Sequence, residues 1–237
     1  KLYTEYKATR EKMPEELVEQ LVPLYEVISH ANIPTLKKPG FEADDIIGTL
    51  AKNGEKAGLE IVIVSGDKDM MQLISSNIHM LDTMKNKKFM GKEVIEKFGV
   101  GPDQVIEVMG LMGDSSDHIP GVVGVGPKTA AELILKFGSI KSLYERIDEV
   151  EKKKVKEKLI RDKDNAFMSR KLVTINIDMN LEMNLDLIKP GKIDKSKLRK
   201  MFEEFEFVSF SKLHREKLDF LSFEYFLFDL NNILNSY

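Results

Sequence analysis

GFEADDIIGTLAKNGEKAGLEIVIVSGDKDMMQLI, residues 40–74, is the stretch from which the fold is read. Ile46, Ile47, Leu50 and Ala51 recur at helical spacing, which predicts a helix over 42–56 with Gly58 ending it. The run LEIVIVS, 59–65, is continuously apolar and β-branched, the pattern of a strand buried on both faces of a parallel sheet. A further helix is expected over 68–75 and a further strand in NIHMLD, 77–82. Helix, strand, helix, strand is the alternation of a parallel α/β sheet. Acidic residues punctuate it: Glu42, Asp44 and Asp45 open the helix, and Asp67 and Asp69 follow the strand.

Outward from this core, Leu17, Leu21, Leu24, Tyr25 and Ile28 predict a helix over 14–31, with Pro23 kinking or breaking it. KNKKFMG, 85–91, reads as a hairpin. The chain then turns helical, with short amphipathic segments expected over 94–98, 105–112, 127–137 and 140–147. EVEKKKVKEKLIRDKD, 149–164, reads as one charged helix, KLVTINID, 171–178, as a strand, and 195–206 as a last helix. The expected division is an α/β core with a gateway-helix remnant over 1–100, a helical lobe over 101–165, a return to the core over 166–217, and an atypical aromatic tail over 218–237.

The 237 residues suffice for one large domain or two small ones. Net charge is −3, so any nucleic-acid binding must come from a local basic surface. Cysteine is absent, which excludes disulfides and thiolate metal sites and suits a reducing, cytoplasmic setting. No apolar run is long enough to span a membrane, and no signal peptide is visible. The first residue is Lys1, and the sequence has the texture of a fragment.

Three acidic groups carry the chemistry: Glu42, Asp44 and Asp45; Asp67 and Asp69; and Asp114 and Asp117 in MGDSSDHIPG, 112–121. Each has an ordinary reading, as macrodipole partners of a first helical turn, as an N-cap, or as turn chemistry. Clustered carboxylates repel unless a cation holds them, and oxygen-rich sets favour Mg2+ or Mn2+. Acids just beyond the carboxyl end of a parallel strand are well placed for a ligand. Converging at one sheet edge, the three groups could hold two ions about 3.5–4 Å apart for phosphodiester hydrolysis. His30, His79, His118 and His214 show no metal-ligand spacing.

Two further signals concern a polyanion. In GVVGVGPKTAAELILKFGS, 121–139, Gly121, Gly124 and Gly126 allow tight turns and close backbone approach. Pro127 suits the first position of a helix, whose free amides, with Lys128 and Thr129, can cradle a phosphate. This resembles a helix-hairpin-helix, which grips a DNA backbone without reading sequence; a plain helix-packing turn is the alternative. In YKATR, Tyr6, Lys7 and Arg10 would place an aromatic ring and two cations within one helical turn, able to stack on a base and contact phosphates; a solvated helix face is the alternative.

Together EYKATR, GFEADDIIGTLA, VSGDKDMMQLI, LMGDSSDHIPGVVGVGPKTA and LILKFGS resemble the 5'-nuclease domain of bacterial DNA polymerase I, in the flap-endonuclease family, over residues 2–217. The resemblance implies a PIN-like α/β core, a helix-hairpin-helix lobe, and Mg2+-dependent hydrolysis of DNA at 5' ends or flaps during replication and repair. It implies that Glu42, Asp44, Asp45, Asp67, Asp69, Asp114 and Asp117 surround two ions. By the same resemblance Lys7 and Arg10 contact the scissile phosphate and Tyr6 stacks on the DNA end. The glycine hairpin would hold duplex backbone, often with a K+ ion. A monomer is expected, with a polymerase domain in the parent protein. The family pattern also begins with a strand bearing a metal-binding aspartate and has another aspartate shortly before the gateway, both expected upstream of Lys1, so an incomplete, DNA-binding fragment is the competing reading. A PIN-type ribonuclease is a third, which the helix-hairpin-helix disfavours.

Overall fold

The computed structural model describes residues 3–8, 12–181 and 188–207, together with the strand at 227–228. The chain divides into two units. One comprises Lys1–Arg10, Glu42–Met179 and Leu227–Ser236; the other comprises Glu11–Phe41 and Asn180–Phe226, with the terminal Tyr237.

In the smaller unit the expected helix over 14–31 is two helices, α1 (Glu15–Glu19) and α2 (Leu21–His30). The break falls at Gln20, ahead of Pro23. A proline lacks the amide that an interior helical position must donate, but is tolerated in a first turn, where no intrahelical acceptor exists. The last helix of the described chain, α10 (Lys195–Glu204), starts on an Asp194 cap that accepts the Lys197 amide at 3.1 Å. It is tied to the end of α2 by the Asp194 amide on the His30 carbonyl at 2.8 Å. The Asn32 side chain also donates to the Lys192 carbonyl at 2.5 Å.

The larger unit is built on α3 (Ala43–Lys56), whose Ile46, Ile47, Leu50 and Ala51 are buried as the periodicity predicts. It is followed by β1 (Ile61–Val64), β2 (Ile78–Asp82) and β3 (Lys87–Phe89). β1 and β2 are parallel with Ile63 opposite Met80, and β3 closes the expected hairpin antiparallel to β2. The aromatic tail contributes β4 (Leu227–Phe228), parallel to β1 on its other edge, so the strand order is β3-β2-β1-β4.

Between β1 and β2 the chain forms a 3-10 helix over Lys68–Leu73, where an α-helix is expected. Met70, Met71 and Leu73 are all buried there. The Asp67 carboxylate fixes that tight turn by accepting the Asp69 amide at 2.9 Å.

The helical lobe runs through α4 (Gly91–Phe98), α5 (Val105–Met112), α6 (Pro127–Phe137) and α7 (Ile140–Glu145). The single charged helix expected over 149–164 is divided at Asp162 into α8 (Lys153–Arg161) and α9 (Lys163–Val173). Asp162 turns away from the helical ladder to accept the Val123 amide at 2.9 Å. KLVTINID is no strand: its first three residues end α9, and its amides go to side chains. Ile175 N donates to Gln72 Oε1 at 3.0 Å and Asn176 N to Asp45 Oδ1 at 2.9 Å. An ion pair from the half-exposed Arg170 Nε to the buried Glu107 Oε1 at 2.7 Å joins α9 to α5, and the other Glu107 oxygen accepts the Ile140 amide at 2.8 Å.

Candidate metal centre and phosphate-gripping hairpin

The acids after β1 are positioned by short-range hydrogen bonds. Ser65 Oγ accepts the Asp67 amide at 3.0 Å, and Asp67 caps the 3-10 turn. That turn swings Asp69 inward, where its Oδ1 is buried and has no hydrogen-bond partner. Burial, first, and then the charges of Asp67, Asp114 and Asp117 push the Asp69 carboxyl up to about 8, against a smaller opposing effect of Lys68. An orphaned carboxylate oxygen among like charges is costly, and it is the type of oxygen a hard divalent cation takes.

Asp114 lies in a small closed loop after α5. Its amide and carbonyl exchange hydrogen bonds with Ile119 at 2.8 and 2.7 Å, and its Oδ1 accepts the Ser116 amide at 3.0 Å. Its Oδ2 meets Lys68 Nζ at 2.6 Å. Lys68 was not among the expected site residues, although its place between Asp67 and Asp69 in GDKD marked it.

On the other side of the cluster, the Asp117 carbonyl accepts the Lys7 amide at 3.1 Å. Lys7 Nζ binds Glu42 Oε2 at 2.6 Å, and the Tyr6 hydroxyl lies 3.5 Å from the same oxygen. Residues 4–8 form a turn and not the expected helical turn, because Lys7 has φ 56°. Burial raises the Tyr6 hydroxyl to about 12. Burial alone would lower Lys7, but Glu42 and Tyr6 outweigh it and keep the ammonium charged well above neutrality. Arg10 lies outside the described residues.

Asp117 acts on both Tyr6 and Asp69, so the Tyr6–Lys7–Glu42 group and the Asp67–Asp69–Asp114 group share one electrostatic neighbourhood. Glu42 and Asp44 sit at the start of α3; Asp45, one residue on, has its Oδ1 committed to the Asn176 amide. Among the described residues no three acids or histidines are already arranged around a point that would suit an ion. Two of the acids instead hold lysines. The donor set nevertheless fits a divalent cation, on the strength of the orphaned Asp69 oxygen.

The second site is the connection from α5 to α6. Gly121 and Gly124 have φ 57° and 78°, conformations that side chains disfavour. Gly126, the N-cap of α6, is extended, so a positive φ is not its reason for being glycine. Open space lies where its Cβ would be. Pro127 is at the first helical position, as expected, and Gly124, Gly126 and Lys128 are exposed, with Thr129 half-buried. The hairpin is braced from behind by residues the sequence did not single out. Lys158 Nζ donates to the Gly124 carbonyl at 2.9 Å, Ser169 Oγ accepts the Gly121 amide at 2.9 Å, and Asp162 holds Val123. Arg161 pairs with Asp162 at 2.6 Å.

Comparison with known proteins locates the chain. The family described as 5'-3' exonuclease, N-terminal resolvase-like domain, matches residues 1–99, and 5'-3' exonuclease, C-terminal SAM fold, matches 100–196. The chain is 40% identical to DNA polymerase I of Rhizobium leguminosarum, over 92% of this chain and 22% of that protein. It is 35% identical to the 5'-3' exonuclease of Aquifex aeolicus, over 90% of this chain and 72% of that protein. It therefore spans under a quarter of the polymerase relative. Among solved structures it is similar to T5 5'-exonuclease with bound divalent zinc, at a TM-score of 0.65 and 20% identity, over 98% of this chain and 77% of that one. The catalytic core of Rad2 in complex with DNA superposes at 0.53, with 20% identity, over 90% and 74%. At those identities the two structures speak to the fold alone, an α/β core with a helix-hairpin-helix lobe.

Proposed function

The chain belongs to the 5'-3' exonuclease family, and from that premise we propose that it hydrolyses DNA phosphodiesters at 5' ends and 5' flaps with divalent metal ions, in replication and repair. The observation that carries the reading is the buried, partnerless Asp69 oxygen among Asp67, Asp114 and Asp117. It lies beyond the carboxyl end of a parallel strand and in one neighbourhood with a charged lysine.

Asp67, Asp69, Asp114 and Asp117 would hold the ions, Mg2+ or Mn2+, with Glu42 and Asp44 completing the inner or water shell. Asp45, with one oxygen already engaged, belongs with that outer set. When bound, two such ions supply the positive charge that activates water and stabilises the leaving oxygen. The chain's own groups do the positioning. Lys7 keeps its ammonium charged and directs it to the scissile phosphate, aided by Arg10. Tyr6 offers a ring face to the terminal base. The amides around Gly121, Gly124, Gly126, Lys128 and Thr129 grip duplex backbone phosphates without reading sequence, and a K+ ion in that hairpin would add to the grip. A polymerase domain in the parent protein and a monomeric state complete the proposal.

The test is cleavage of a labelled 5'-flap duplex with Mg2+ and with chelator. Metal-dependent release of short 5' products, abolished by Asp69→Asn, is expected. Robust cleavage in chelator, or by the variant, would sink the metal assignment. Salt-dependent flap binding without turnover at any metal concentration would leave a DNA-binding module in its place.

A further inference from the structure

We propose that Lys68 is the counter-cation of the metal-free acid cluster and competes with a divalent ion for Asp114, so that loading the metal expels the Lys68 ammonium. The inference rests on the metal-dependent reading above. Asp114 is buried, and one of its oxygens is committed to the Ser116 amide. The remaining oxygen is the one that could bind an ion, and Lys68 Nζ occupies it at 2.6 Å. The same ammonium lies within electrostatic reach of Asp67 and Asp69, so one positive charge faces three acids. An ammonium and a divalent cation on one oxygen would repel strongly at that range, which makes the two occupancies exclusive.

The local structure also lets Lys68 leave. It is the first residue of the 3-10 helix, its side chain is 30% exposed, and its charge sits at the end of a flexible four-carbon stem. It can withdraw to water while Met70 and Met71 stay in the core. The Lys7–Glu42 pair differs: Lys7 is itself anchored through its backbone to Asp117, and the Glu42 side chain is 44% exposed. The exchange also accounts for the lack of a ready three-ligand set among the described residues, because Asp114 faces a lysine until an ion replaces it.

Calorimetric titration of the whole chain with Mn2+, for wild type and for Lys68→Met, Lys68→Gln and Lys68→Arg, tests the idea without any activity readout. Removing the charge is expected to tighten Mn2+ binding by about tenfold, since a competing unit charge is lost. It is also expected to lower the thermal midpoint of the metal-free protein by a few degrees, about the effect of one lost partly buried ion pair. Lys68→Arg is expected to stay at or below wild-type affinity. Unchanged or weaker Mn2+ binding in both uncharged variants, beside normal binding by wild type, would make Lys68 a plain structural ion pair and overturn the inference alone. A wild type that binds no Mn2+ would remove the metal reading itself, and this inference with it.

Discussion

In the proposed chemistry Asp69 is the central acid, and its protonation is set by the fold. Its carboxyl titrates near 8 in the folded chain and near 3.8 when unfolded. The folded state therefore binds more protons than the unfolded state between those values. Stability of the metal-free protein is expected to fall as pH rises from about 4 to about 8, and to level off above that. Thermal midpoints at pH 5 and pH 8 in chelator measure this, and Asp69→Asn should flatten the difference. An equal slope in the variant would show that Asp69 is not its source. Lys7 has the opposite character, since its charge persists across the working range. Lys7→Ala is expected to lower the cleavage rate by about a hundredfold or more, the scale of losing a charged group aimed at the reacting centre. Flap-DNA affinity, read by anisotropy, should change far less. GDKD showed Asp67, Asp69 and Lys68 as neighbours in sequence, but not that one would be buried without a partner and another paired to Asp114, 46 positions along. Those facts depend on which groups the core brings close.

Elements position these residues through a few backbone devices. Gly121 has a positive φ and its Cβ would strike the backbone of Gly113 and Leu111. Gly121→Ala is expected to cost well over about 1 kcal/mol of stability, by denaturant unfolding. At Gly124 the obstacle is the Lys158 side chain, which can move, although φ is again positive. Lys158→Ala, which only loosens the brace, should leave the fold intact and weaken duplex binding by several-fold; an unchanged affinity would show that the hairpin needs no support. α3, α5 and α6 were legible to within a residue or so, because an apolar stripe at helical spacing reports its own burial. Two of the misread elements have a backbone that answers to distant side chains. Asp162 breaks the charged helix to hold Val123, and Gln72 and Asp45 take amides that a strand would have given to a neighbour. Local pattern carries no sign of such partners.

At the scale of the whole molecule, the proposed function depends on charges arriving from outside. The acid cluster is balanced by Lys68, Lys7 and the raised Asp69 carboxyl, and a divalent ion should displace that arrangement. Mg2+ at about a hundred times its dissociation constant would stabilise the fold by about 2.7 kcal/mol, read as a rise in thermal midpoint reversed by chelator. With an overall charge of −3, the proposed DNA binding would rest on local patches. The logarithm of the affinity should therefore fall linearly with the logarithm of salt concentration, with a slope set by the few phosphates contacted. A salt-independent affinity would remove the hairpin and Lys7 from the interface.

The sequence by itself determined the α/β core, the helical lobe, the acidic groups and the glycine hairpin, because hydrophobic period, turn residues and motif order are local quantities. Only the tertiary structure decided which acids share a neighbourhood and which amides Asp45 and Asp162 hold. It also decided that the acid cluster rests on lysines and leaves one buried oxygen unmet. Those outcomes follow from through-space electrostatics and hydrogen-bond competition between segments far apart in the chain, and they exist only once the core has packed.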